Sequence, residues 1–179
     1  MEGLLHIIFK ESTNTFLEEE VDNILNDVAE RNLCGRLAIY ITEKLDEHGI
    51  KGYYADPEYN RKQNGRVKTI LDDEMNVVTI QCDLIVHSRG NNIQQDNLIA
   101  IEMKKSNRPD EEKESDRKRL RALTKSSYDD VWSYDGIALP EHVCGYIMGV
   151  YMELDIIERE CLFEYYRKGK KVKERTKSF

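Results

Sequence analysis

An α/β sandwich is the fold class this sequence predicts, and three features of its pattern predict it. Apolar residues recur at helical spacing through the first third, two branched apolar runs flank a polar interval in the middle, and a charged amphipathic segment is followed by further apolar runs. Read in order, these are helix, strands, helix and strand, an arrangement that buries its apolar faces by laying helices on a sheet. The 179 residues, 40% hydrophobic and 34% charged, suit one domain over residues 1–179 with an ordinary core. Only 3 Pro and 10 Gly exclude a disordered or collagen-like chain. Apolar stretches end far short of the ~20 residues that cross a bilayer, and Met1-Glu2-Gly3 lacks the basic flank of a secretory signal. A cytoplasmic protein without a membrane partner is therefore expected.

Thr15 followed by Glu18 fits a capping box, after which Leu17, Val21, Ile24, Leu25 and Val28 recur at helical spacing. Leu33, Leu37, Ile41 and Leu45 continue the pattern in one bent helix or two, and Gly49 is placed to end it. From Gly52 onward turns and short extended pieces are expected, broken at Pro57, Asn60, Gly65 and Asp72-Asp73. Val77 to Val86 reads as a strand, Ser88 to Asp96 as a hairpin connection, and Leu98 to Lys104 as its partner. Asp110 to about Ser126 reads as a surface helix docked by a narrow edge at Leu120 and Leu123. His142–Met152 and Glu160–Tyr166 read as further strands, where Tyr146, Tyr151, Tyr165 and Tyr166 pack well.

Cys34, Cys82, Cys144 and Cys161 stand singly in apolar surroundings with no C-x-x-C pair, which predicts buried thiols rather than zinc or redox chemistry. The net charge of -7 opposes binding of a polyanion over the whole surface, so contact with nucleic acid must be local. Two segments qualify: Arg117-Lys118-Arg119 with Arg121, and Arg167 to Lys173. Each reads equally as a solvated face or a frayed tail.

Charges that interrupt apolar strands locate the chemistry. Glu102 and Lys104 project from one face of their strand, about 7 Å apart at ~3.3 Å per residue. If the two strands pair, Asp83 comes alongside them. Carboxylates converging at the edge of an apolar sheet repel one another unless a cation lies between them, and such oxygen ligands suit Mg²⁺ or Mn²⁺. The adjacent lysine can orient the attacking water or stabilise charge on a phosphoryl oxygen, which is hydrolysis of a phosphodiester. As bare strings, Glu111-Glu112-Lys113 and Asp116-Arg117-Lys118 satisfy the same acid-x-Lys rule; only Glu102-Met103-Lys104 ends an apolar strand. The plain reading is an ion pair capping a strand. Glu30 shares the helical stripe of Leu33, Cys34, Leu37 and Ile41, so it either lies at a wet helix end beside Arg31 or Arg36 or faces the cluster.

Asp83 followed by Glu102-Met103-Lys104 within apolar strands resembles the PD-(D/E)xK nuclease superfamily over roughly residues 30–152. The resemblance implies a restriction-endonuclease-like core of helix, three strands, helix and strand, here with an added N-terminal helix and C-terminal strand. It implies divalent metal at Asp83 and Glu102, with the Met103 carbonyl and Glu30 assisting and Lys104 catalytic. Gln81-Cys82 stands where Pro often precedes the aspartate, a departure that removes no ligand. Asp56 to Arg61 together with Ile85 to Gly90 looks like a pattern of small bacterial members, which makes Tyr59, Arg61, His87 and Arg89 candidate substrate contacts. Arginine forks suit phosphate, a tyrosine can stack on a base, and a histidine can serve as base or ligand. A turn with surface ion pairs explains the same residues.

Three functions follow. The leading one is a metal-dependent nuclease acting on DNA in preference to RNA, alone, as a homodimer or in a larger complex. The second is a catalytically silent nucleic-acid-binding or assembly module on the same scaffold. The third is an α/β interaction protein in which the motif is accidental.

Overall fold

The structure is a computed structural model that describes residues 1–59, 69–71, 77–79, 82–92, 94–126 and 144–179, with the backbone alone at 69–71 and 77–79. Helices α1 (Glu2–Glu19), α2 (Val21–Leu25) and α3 (Glu30–Glu47) open the chain. The expected helix start at Thr15 is overturned. Leu5, Ile8, Phe9 and Phe16 form a buried stripe that begins well upstream, so Thr15 lies inside α1 and its hydroxyl donates to the Glu11 carbonyl at 3.3 Å. The run from Leu17 to Val28 is also broken, because α1 stops at Glu19 and Asp27 turns the chain with a φ of 58°. Gly49 does close α3. Its N–H donates to the Asp46 carbonyl at 3.0 Å, that of Ile50 donates to Leu45 at 2.8 Å, and its φ of 72° is the left-handed conformation this closure needs.

Strands β1 (Tyr54–Pro57), β4 (Leu84–His87), β5 (Asn97–Lys105), β6 (Met148–Asp155), β7 (Glu160–Arg167) and β8 (Lys170–Ser178) make one six-stranded sheet in that order. A separate ribbon pairs β2 (Thr69–Leu71) with β3 (Val77–Thr79), and α4 (Asp110–Leu123) connects β5 to β6. Among the described strands of this sheet only the β5–β6 pair is parallel, because a helix carries the chain back across the sheet; the other neighbours are antiparallel. The α/β class expected from the sequence is therefore the one observed.

Three strand expectations change. The run Val77–Val86 is not one strand: β3 belongs to the small ribbon, and β4 starts only after a bend at Asp83. Strand β6 starts at Met148 rather than His142, since Gly145 turns the backbone with a φ of 76°; residues 142–143 lie outside the described residues, as do Arg61 and Trp132. The basic tail is not frayed. Lys168 and Gly169, both at positive φ (49° and 75°), form a two-residue turn whose twist suits a hairpin, and β8 folds back on β7 as the outer strand, with Lys170, Lys171, Lys173, Arg175 and Lys177 along it.

Helices α1 and α3 cover one face of the sheet. Ile99, Ile101 and Met103 of β5, Val150 and Met152 of β6, and Phe163 of β7 meet Leu5, Phe9, Leu33, Leu37 and Ile41 there. Helix α4 covers the other face with Leu120 and Leu123 against Ala100, Tyr151 and Tyr166. Gly149 lets the helix come close: a Cβ there would stand 2.8 Å from the Thr124 methyl and 3.2 Å from the Tyr166 Cβ. Tyr146, Tyr151, Tyr165, Tyr166 and all four free cysteines are buried, as expected. Among the described residues no helix is long and apolar enough to cross a membrane.

Candidate metal centre

Alternation along β5 positions the site. Ile99, Ile101 and Met103 face α1 and α3, Ala100 faces α4, and Glu102 and Lys104 follow on the α4 side. Glu102 is 0% exposed. The β4–β5 ladder ends at the pair Leu84–Ile101, so the N–H of Met103 has no strand partner there. The Asp83 carboxylate takes that donor at 2.9 Å, while the Asp83 N–H approaches Glu102 Oε2 at 3.4 Å. Asp83 thus finishes the ladder with its side chain, and the chain bends at that point instead of continuing the strand.

The third acid comes from α4. Lys113, Asp116, Leu120 and Leu123 form its buried stripe, which turns Asp116 toward the sheet at 3% exposure. Asp83, Glu102 and Asp116 each offer a carboxylate oxygen, and these oxygens lie within 4.8 Å of one another. Two cations face them. Lys104 Nζ stands 3.0 Å from Asp116 Oδ2 and 3.9 Å from both Asp83 Oδ2 and Glu30 Oε2. Arg119 Nη1 donates to Glu102 Oε1 at 2.6 Å and to Asp116 Oδ1 at 3.1 Å. Glu30, in the first turn of α3, accepts the Lys105 N–H at 3.0 Å and lies near Arg108; it reaches the triad through Lys104 and is not one of its three members.

Burial of like charges sets the protonation of the centre. Desolvation, reinforced by Asp83 and Asp116 against the pull of Arg119, pushes the Glu102 carboxyl well above its usual range. Desolvation also raises Asp83, although Lys104 and the Met103 N–H oppose it. Burial would lower the Lys104 pKa, but Asp83, Asp116 and Glu30 together raise it. A carboxyl whose pKa is raised by folding holds its proton more tightly in the native state than in the unfolded one. Its contribution to stability therefore grows as pH falls from that raised pKa toward the ordinary carboxylate range. His6, whose ring burial favours the neutral form, opposes this as pH falls through its ordinary value of 6.5. Metal-free protein is thus expected to melt higher on the acid side of the Glu102 titration than on its alkaline side, and millimolar Mg²⁺ should reverse the order because ligands must be deprotonated. Thermal melts with chelator and with Mg²⁺ check this; the same order in both would contradict it.

Of the other expected residues, Tyr59, His87 and Arg89 form a second group on the same face, toward the far end of β4, while Arg61 lies outside the described residues. His87, 1% exposed, has Nε2 2.9 Å from Asp56 Oδ2 and its ring centroid 4.5 Å from that of Tyr59. Arg89 grips Asp56 with two hydrogen bonds, of 2.7 and 2.5 Å, and lies 4.1 Å from the Tyr54 ring centre. Burial would raise the Asp56 pKa, but Arg89 and His87 outweigh it and hold the carboxylate low. In the basic helix, Arg117 pairs with Glu164 at 2.9 Å, Arg119 belongs to the centre, and Arg121 pairs with Glu114 at 2.8 Å.

The acid overlooked in the sequence reading is Asp116, set aside there as an accidental acid-x-Lys string. A signal existed: Asp116 precedes Leu120 by four residues and Leu123 by seven, so it shares the stripe that docks the helix. Arg119 was counted only as part of a basic run. Compared with protein-family models, with curated proteins and with solved structures, the chain matches none.

Proposed function

We propose that this protein is a divalent-metal-dependent nuclease of the PD-(D/E)xK type, hydrolysing phosphodiester bonds of nucleic acid, DNA in preference to RNA. The observation that carries this reading is the buried triad Asp83–Glu102–Asp116 with the Lys104 ammonium beside it. The donors fit Mg²⁺ or Mn²⁺: all are hard oxygens, and Asp116 Oδ2 is buried with no well-aligned hydrogen bond, facing only the Lys104 ammonium at 3.0 Å. The nearby thiols do not compete, because burial pushes Cys34 and Cys82 up and keeps them protonated.

In this reading Asp83, Glu102 and Asp116 hold the ion, with the Met103 carbonyl and Glu30 as further oxygen donors. When bound, the ion polarises a phosphoryl oxygen and makes water a better nucleophile. Lys104 orients the attacking water and stabilises the negative charge that grows on the phosphate. Asp83 keeps its carboxylate aimed through the Met103 N–H bond, and Glu30 steadies the Lys104 ammonium from the far side. Tyr59, Arg61 and Arg89 are assigned to substrate contact, and His87, buried against Asp56 and the Tyr59 ring, to positioning them. For a chain of net charge -7, affinity for DNA rests on local phosphate contacts and the ion, so cleavage weakens steeply with salt. A homodimer would supply a second centre for the opposite strand.

A second reading, a silent nucleic-acid-binding or assembly module, is favoured by the way Lys104 and Arg119 already offset the triad from within. One experiment separates them. Incubation with single- and double-stranded DNA plus Mg²⁺ or Mn²⁺ is expected to give cleavage that disappears in Asp83→Ala, together with Mn²⁺ binding seen by calorimetry. DNA binding indifferent to metal, without cleavage, would establish the module instead.

A further inference from the structure

Resting on the metal reading above, we propose that Arg119 limits this centre to a single divalent ion by placing its guanidinium where a second ion would sit between Glu102 and Asp116. Two-metal phosphodiesterase sites hold their ions roughly 3.5 to 4 Å apart, and a carboxylate that turns one oxygen to each can bridge that distance. Here the oxygens are divided differently. One nitrogen of Arg119 takes Oε1 of Glu102 at 2.6 Å and Oδ1 of Asp116 at 3.1 Å. The other oxygens turn the opposite way: Glu102 Oε2 toward the Asp83 N–H at 3.4 Å, and Asp116 Oδ2 toward Lys104 at 3.0 Å. Each carboxylate therefore has one oxygen for an ion and one already held.

The two resident cations are not equivalent. Lys104 carries a point charge on a flexible stem, and its approach to Asp116 Oδ2 lacks the alignment of a hydrogen bond, so it can yield to an incoming ion. Arg119 sits three residues from Asp116 on the same helix, which presets its reach, and a guanidinium does not lose its charge in a protein. The ion enters on the Lys104 side and Arg119 stays.

The test is to count Mn²⁺ ions on the full chain by calorimetry and by electron paramagnetic resonance, which detects coupled Mn²⁺ pairs. Wild type is expected to bind one ion, and Arg119→Gln two, with a coupled-pair signal. Two ions in wild type, or one in an Arg119→Gln protein with an unchanged circular-dichroism spectrum, would overturn the proposal. If Arg119→Gln does not fold, the wild-type count decides. Absence of Mn²⁺ binding in every protein would instead remove the metal reading on which the proposal rests.

Discussion

Exchanging Lys104 for Met is expected to separate ion binding from turnover. The ammonium lies within 3.9 Å of three carboxylates and repels any divalent ion they would hold, so its removal should leave Mn²⁺ affinity intact or severalfold tighter. Cleavage should fall by about 10² to 10⁴, the range that a positioned proton-transfer or charge-stabilising group supplies. The burial that isolates Glu102 from water strengthens this effect, since charge–charge interactions gain where solvent screening is lost. Calorimetry and a DNA cleavage time course on the same Lys104→Met preparation measure both halves. Cleavage within about tenfold of wild type would show that Lys104 only neutralises its neighbours.

Replacing Arg117 by Met is expected to destabilise the fold by about 3 kcal/mol, toward the lower end for breaking a buried ion pair. Arg117 Nε donates to Glu164 at 2.9 Å, its guanidinium lies 3.6 Å from Glu153, and it stacks 4.1 Å from the centre of the Tyr151 ring. Glu164 is buried, but Lys171 at 3.2 Å and the Tyr166 hydroxyl at 2.6 Å would remain to it, which keeps the cost from being larger. At roughly 2 to 4 °C per kcal/mol for a chain of this size, the melting temperature should drop by about 6 to 12 °C. A loss below about 1 kcal/mol in denaturant titration would mean that Lys171 alone suffices. The substitution also bears on the basic run of α4, because a guanidinium that fastens the helix to the sheet is not spare for phosphate.

These residues show how far a sequence can be read. The branched run from Leu98 to Ile101 interrupted by Glu102 and Lys104 is enough to put both charges on one face, because strand alternation is a rigid two-residue period. Pairing with Asp83 was also legible, since antiparallel partners next in sequence usually meet. Asp116 was not, because it stands among Glu111, Glu112 and Glu114, and only its spacing to Leu120 distinguishes a buried acid from a solvated one. The start of α1 was misplaced for a similar reason: Thr15 and Glu18 imitate a cap, and a local pattern yields to an apolar stripe that packs on the sheet. The single turn Lys168-Gly169 decides whether the basic tail is coil or strand, and Lys offers little forewarning that it will adopt positive φ.

Among the described residues the open sheet presents two margins, each a row of backbone donors and acceptors that another chain could extend. On one side β1 is four residues long and ends in Pro57; on the other, β8 lines its margin with ammonium and guanidinium groups. A second copy laid against β8 would have to crowd like charges together in low-dielectric contact. The molecule thus carries, in its outermost ribbon, its own defence against growing into a fibre.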